Sequence, residues 1–188
     1  EQMLIVLTAL QTSDLLPTIV SRCQHIRFLP LSRERLAKLL AERHGVAPEM
    51  AEVLASAAGG SLTRAAAMSE TGWERRRDAL IGAFEDLVQG PAERRLLFAE
   101  MLAADKDALT ESLETLKTYF RDLAVGRFRA ELIVNRDLGG RIEVESRRFG
   151  LDRLLRLVKA VERAQRRIGA NASPRLALEA MALELTHA

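Results

Sequence analysis

Asp105-Lys106-Asp107-Ala108-Leu109-Thr110-Glu111-Ser112-Leu113-Glu114-Thr115-Leu116-Lys117-Thr118-Tyr119-Phe120-Arg121-Asp122-Leu123 decides the fold. Leu109, Leu113, Leu116, Phe120 and Leu123 recur every three or four residues, which places them on one face of a helix. The pattern predicts a long amphipathic helix that opens at Asp105 and runs to about Val134. One apolar face of that length needs partner helices to cover it.

The flanks supply them. Downstream, Asn135-Arg136-Asp137 with Gly139-Gly140 reads as a loop, and Glu143 and Glu145 fall in a loop-like segment without partners. Leu151, Leu154, Leu155, Val158, Val161 and Ile168 mark another amphipathic helix. Ser173 caps a last one with Pro174 at its first position. Leu176, Leu178, Ala180, Met181, Leu183 and Leu185 make that helix apolar almost all round, so it is expected to be central. Upstream, Thr71 is placed as the cap of a helix whose apolar face is Leu80, Ile81, Phe84 and Leu87. Gly90-Pro91 ends it, and a helix from about Pro91 to Leu102 follows. Trp73 is expected to pack between domains. Arg75-Arg76-Arg77, flanked by Glu74 and Asp78, is expected on a helix surface.

Residues 30–70 carry three shorter helices. Ser32 caps the first, Leu31 and Leu36 suit a hydrophobic staple, and Gly45 is the stop. The second starts near Pro48 and ends at Gly59-Gly60. The third is capped by Ser61. Before Pro30 the pattern changes: Met3-Leu4-Ile5-Val6-Leu7 and Ile26-Arg27-Phe28-Leu29 read as buried strands, with a short helix or turn at Leu15–Val20 between them. Two strands do not make a stable sheet alone, so this end is expected to be frayed or strained. The chain begins at Glu1 just before a strand pattern, which suggests a fragment.

Composition agrees with a helical protein. Of 188 residues 48% are hydrophobic and only 4% aromatic, which disfavours a β-sandwich. With 28 Lys+Arg against 26 Asp+Glu the net charge is +2, which excludes a supercharged nucleic-acid tail and an acidic disordered region. The single cysteine, Cys23, excludes an internal disulfide framework, and His25, His44 and His187 have no metal-site spacing. No apolar run approaches the roughly 18 residues that span a bilayer. No basic-then-apolar leader is evident, and the expected compartment is the cytoplasm. Arg156, Lys159, Arg163, Arg166 and Arg167 share a helix face that suits phosphates, but Asp152 and Glu162 interrupt it and a solvated face is the expectation. No nucleophile–base pair, metal box or glycine-rich phosphate loop is present.

Leu15-Leu16-Pro17-Thr18-Ile19-Val20-Ser21-Arg22-Cys23-Gln24 resembles the Ser-Arg-Cys motif of the bacterial clamp-loader ATPases of the AAA+ superfamily. The resemblance implies that Arg22 is an arginine finger, reaching across a subunit interface to the γ-phosphate of a neighbour's ATP, with Ser21 and Cys23 holding the loop. Arginine suits the task because its guanidinium is always charged and binds phosphate oxygens bidentately. Gly59-Gly60-Ser61-Leu62-Thr63-Arg64-Ala65 resembles the segment that carries a "sensor 2" arginine in the lids of this family. ATP-binding subunits place the arginine directly after Gly-Ser-Leu, where this chain has Thr63. Arg64 instead matches a subunit type that usually does not use its own ATP. A shift of one residue turns a helical side chain by about 100°, so Arg64 is expected to point elsewhere. Leu7-Thr8-Ala9-Leu10 offers only Thr8 where ATP-binding relatives carry "sensor 1" residues. Arg166–Glu179 resembles the carboxyl end of the same subunits, an Asn-containing turn before a Leu-rich helix.

The fold implied is mainly α: a remnant of an α/β AAA+ domain in residues 1–29, a three-helix lid bundle in 30–70 and a helical collar in 71–188. The resemblance implies a non-catalytic subunit of the DNA polymerase III holoenzyme. It would hold no cofactor of its own, with ATP and Mg on the neighbouring subunit. Its partners would be gamma/tau-type and delta-type subunits, and through them the sliding clamp and primed DNA, with no membrane. Two other readings stay open here: a gamma/tau-type subunit with its own ATP site, and a free-standing helical regulatory or DNA-binding module.

Overall fold

Ser32, Ser61 and Asp105 each begin a helix by accepting a backbone N–H, from Arg35 at 3.3 Å, Arg64 at 3.3 Å and Ala108 at 2.9 Å. The architecture is built around these capped starts. A computed structural model describes residues 4–9 and 11–187, which fall into two units, Glu1–Pro30 and Leu31–Ala188.

In the first unit a 3-10 turn at Thr12–Asp14 precedes a one-turn helix, α1 (Pro17–Val20), with Pro17 at its first position. The described part of the first expected strand, residues 4–7, and all of the second, Ile26–Leu29, carry no β-ladder; Met3 and Leu10 lie outside the described residues. A strand exists only through its partner's hydrogen bonds, and these two segments do not pair with one another. Leu4, Ile5, Val6, Ile26, Phe28 and Leu29 are exposed in consequence.

The second unit begins with three short helices: α2 (Arg33–His44), α3 (Pro48–Ala57) and α4 (Leu62–Glu70). Gly45, at φ +63, ends α2 in the left-handed conformation that a residue without Cβ adopts freely. Their core is small-residue rich: Leu36, Leu40, Leu54 and Met68 with Ala37, Ala51, Ala55, Ala58 and Ala65, closed by Trp73. Leu31 packs against this cluster, and its N–H reaches Gly60 O at 3.0 Å, tying the entry of α2 to the turn before α4.

Six further helices follow: α5 (Trp73–Gln89), α6 (Glu93–Ala104), α7 (Lys106–Gly126), α8 (Gly139–Arg148), α9 (Leu151–Gly169) and α10 (Pro174–His187). The central helix is α7, which touches α5, α6, α8 and α9 and buries Leu116, Phe120 and Leu123 completely. Each such side chain contributes about 1.5–3 kcal/mol by leaving water. Phe84 and Phe120 meet in the cluster with ring centroids 4.6 Å apart and planes tilted by 60°. Helix α10 packs on α9, α6 and α5 through Ala177, Leu178, Met181, Ala182 and Leu185, yet Leu176 and Leu183 remain exposed, so it is not enclosed all round. The turn before it is a Schellman motif: Asn171 takes φ +60, its N–H reaches Ile168 O, and Ala172 N–H reaches Arg167 O, both at 3.0 Å.

Four expectations are corrected. The long helix stops at Gly126 instead of Val134, because the Asp122 carboxylate captures the N–H groups of Val134 (3.0 Å) and Asn135 (2.8 Å) and folds the chain back. Residues 139–148 are a helix, not a loop, and Glu143 and Glu145 have partners there, Arg147 at 2.6 Å and Arg148 at 2.9 Å. Thr71 does not cap α5: it closes α4, its hydroxyl donating to Ala67 O at 2.9 Å, and Gly72 at φ +64 begins α5. Arg77 is not on the surface at all.

Candidate functional site

Ser21, Arg22 and Cys23 form the turn that follows α1. Pro17 fixes the start of that helix, Arg22 N–H bonds Ile19 O at 3.0 Å and Cys23 N–H bonds Val20 O at 3.2 Å. The Ser21 hydroxyl donates to Thr18 O at 3.3 Å, and His25 Nε2 lies 2.9 Å from Val20 O. The turn is thus held by Ser21, the backbone and His25. Arg22 is exposed, and among the described residues its guanidinium has no hydrogen bond and no ion pair. Cys23 is an exposed free thiol. What this turn offers chemically is one unpaired guanidinium on a short, locally braced projection.

Arg64 belongs to the other unit, in the first turn of α4 beside the exposed Thr63. Its backbone N–H serves the Ser61 cap. Its charge is felt by Glu114 of α7. Burial works to raise that carboxyl, but Lys117 and Gln165, both donating at 2.7 Å, and the charges of Lys117 and Arg64 hold it below its ordinary value. The structure therefore groups Ser21, Arg22 and Cys23, and places Arg64 with a carboxylate of the larger bundle.

The basic stripe on α9 is interrupted, as expected. Arg163 turns to Glu184 of α10, with Nε at 3.0 Å, which leaves Arg156, Lys159, Arg166 and Arg167 exposed. Among the described residues no group of His, Cys, Asp and Glu has the arrangement of a metal site, and no helix is long and apolar enough to cross a membrane.

Sequence reasoning missed a buried polar cluster around Arg77, whose side chain is only 1% exposed. Its guanidinium lies 5.0 Å above the Trp73 ring and grips both oxygens of Asp137, with Nη1 to Oδ1 at 3.0 Å. It also donates to Asn135 Oδ1 at 3.2 Å and to Asp78 at 3.0 Å. Asn135 Nδ2 donates in turn to the fully buried Asp122 at 2.8 Å. Arg77 thus links the core of the three short helices, through Trp73, to the segment after α7. The available signal was its spacing of four from Trp73, with Asn135 and Asp137 as polar residues needing a partner.

A second cluster joins α5, α7 and α8. Arg141 holds Glu85 bidentately at 2.9 and 2.6 Å, and the buried Tyr119 hydroxyl reaches Glu85 Oε1 at 3.5 Å. Burial, with Glu85 beside it, pushes the Tyr119 phenol well above its usual range. Folding therefore favours protonated Tyr119. Its contribution is full below the unfolded phenol's pKa of about 10 and is lost as pH rises beyond it. Tyr119→Phe is expected to flatten the alkaline fall in stability above about pH 10, read by denaturant midpoint against pH. An unchanged alkaline limb would show that Tyr119 does not govern it.

Large apolar side chains are left uncovered on the two helices that pack together at one side of the bundle. Helix α6 exposes Leu96, Leu97 and Met101, and α10 exposes Leu176 and Leu183, with Arg175 reaching Glu100 across them at 3.4 Å. Leu97 is 58% exposed and Leu176 65%.

A family model described as "DNA polymerase III, delta subunit, C terminal" matches residues 71–187. No curated protein and no solved structure matches the chain.

Proposed function

The chain belongs to the family of the DNA polymerase III delta subunit's carboxyl-terminal domain, which its residues 71–187 match, and from that membership we propose that it is the carboxyl-terminal portion of a delta-prime-type clamp-loader subunit. A clamp loader opens a sliding clamp and places it on primed DNA. In this reading residues 1–29 close an AAA+ ATPase-like domain, 30–70 form its lid, and 71–188 form the collar that holds the assembly together. The chain is a non-catalytic subunit of the polymerase holoenzyme, working in the cytoplasm. Its partners are gamma/tau-type and delta-type subunits, and through them the clamp and primed DNA.

The observation that carries the reading is the family match over the last six helices. The delta-prime assignment rests on Ser21-Arg22-Cys23 and on Arg64 standing one place after Thr63. Thr63 also weighs against a gamma/tau-type subunit with its own ATP site. ATP and Mg belong to the neighbouring subunit, and Arg22 is offered to them. The exposed, unpaired guanidinium on its braced turn supports this role.

Association with the other subunits tests the collar reading. Leu97 and Leu183 are uncovered leucines of the kind that interface cores bury. Replacing both with aspartate is expected to weaken association with purified gamma/tau-type and delta-type subunits by about 1–2 kcal/mol, roughly five- to thirtyfold in Kd. Analytical ultracentrifugation reads it. Unaltered affinity would move the assembly surface off this face.

A further inference from the structure

Within the collar residues lies a cleft that none of the roles given above uses. Where α7 ends at Gly126 the chain reverses, and the 127–138 segment and α8 enclose a space of about 550 Å³ with the helix end. That volume is in the range of ligand sites, roughly 300–1,000 Å³. Ala130, Ile133 and Ile142 give it an apolar floor. A Cβ at Gly126 would come within 3.0 Å of Ile142 and 3.3 Å of Ile133, so the absence of a side chain there keeps the floor in place.

Arg127 and Arg136 line the cleft, and each is anchored by one nitrogen only. Arg127 Nη1 donates to Phe149 O at 3.0 Å, and Arg136 Nη2 donates to Glu131 O at 3.0 Å. A guanidinium carries five N–H donors in a rigid fork. Both arginines are therefore oriented by a backbone carbonyl while most of their donors stay unused, and neither forms an ion pair among the described residues. Arg147, the third guanidinium, is spent on Glu143 at 2.6 Å. In the same 127–138 segment Phe128 is 70% and Leu132 48% exposed, the apolar neighbours in sequence of the lining residues Arg127 and Glu131.

We propose that this cleft binds an acidic peptide segment of a partner protein, with a carboxylate on Arg127 and Arg136 and a neighbouring apolar side chain against Phe128 and Leu132. The site does not depend on the role given to Arg22. Its chemistry selects among anions. Glu131, in the wall and without a side-chain partner among the described residues, can accept a peptide N–H, a donor that a phosphodiester backbone lacks. The cleft is partly open to solvent, which suits a peptide segment that continues beyond it better than a small metabolite, since small-ligand sites bury about 70–90% of their ligand.

The test uses the whole 188-residue chain and a short fluorescein-labelled peptide of alternating glutamate and leucine, read by anisotropy at about 0.15 M salt. Saturable binding is expected, with chemical-shift changes confined to residues 126–147. Arg127→Gln with Arg136→Gln should weaken it about fivefold, and Arg136→Gln alone, which touches only a surface turn, should weaken it measurably with an unaltered circular-dichroism melt. Arg166→Gln, on α9, should leave it unchanged. An equal loss with Arg166→Gln overturns the site in favour of diffuse charge. Equal binding of the matching lysine–leucine peptide overturns the charge selection. Displacement by millimolar glutarate would make it a small-anion site, and displacement by a single-stranded oligonucleotide a nucleic-acid site; either result overturns the peptide.

Discussion

Replacing Arg22 with alanine in the full-length subunit, reconstituted into its clamp loader, is expected to lower ATP hydrolysis by an order of magnitude or more while assembly persists. The reasoning is electrostatic. Charge develops on the transferred phosphoryl group, and a guanidinium delivered from a neighbour stabilises it; in comparable systems such a finger is worth about 10³–10⁵ in rate. The lower expectation allows for ATP sites elsewhere in the assembly that the proposed finger would not serve. Assembly persists because Arg22 lies on an exposed turn whose hydrogen bonds come from Ser21, the backbone and His25, not from its own side chain. Arg22→Lys separates charge from shape, since it keeps the positive charge and loses the bidentate fork. It should recover only part of the rate. Steady-state hydrolysis with clamp and primed DNA present, alongside size-exclusion of the complex, reads both quantities. A rate equal to wild type in the intact complex would remove Arg22 from the mechanism.

The helices were legible where one short signal decided them. Ser32 and Ser61 cap the helices they were expected to cap, α7 opens at Asp105 as expected, and its leucines lie inward as their spacing requires. Helix α8 was not legible, because it buries only Ile142 and Ser146 and so shows no apolar period. Its stability comes from charge pairs and from packing on α7, neither of which a hydrophobic pattern reports. The two expected strands failed for a different reason. A strand is a property of a pair, and an apolar run such as Leu4–Leu7 carries no information about whether its partner is present. In the candidate site, the brace of Arg22 follows from local residues. The burial of Arg77 does not, since Asp137 lies sixty residues away in sequence.

That long-range pair carries the largest expected loss of stability. Arg77→Ala should destabilise the chain by about 2–4 kcal/mol, because it leaves the buried Asn135 oxygen without its donor and empties the space of a buried side chain. Three groups lose their donor together: Asp137, Asn135 and Asp78. The Trp73 ring also loses the cation over its face, a contact worth about 2 kcal/mol when desolvated. With about 2–4 °C per kcal/mol for a unit of this size, the melting temperature should drop by roughly 4–16 °C. The location of the loss is the sharper test. Trp73 is the one tryptophan and sits in the core of the three short helices, so its fluorescence reports that core, while far-UV circular dichroism is dominated by the last six helices. If Arg77 ties the two cores together, both signals share one denaturant midpoint in the parent chain and separate in Arg77→Ala. Arg77→Met should return part of the stability, because it refills the space beside Trp73 with an apolar side chain of similar length. A loss under about 1 kcal/mol, the value of a surface pair, with coincident midpoints, would mean that the small-residue core and α5 hold the junction without the guanidinium.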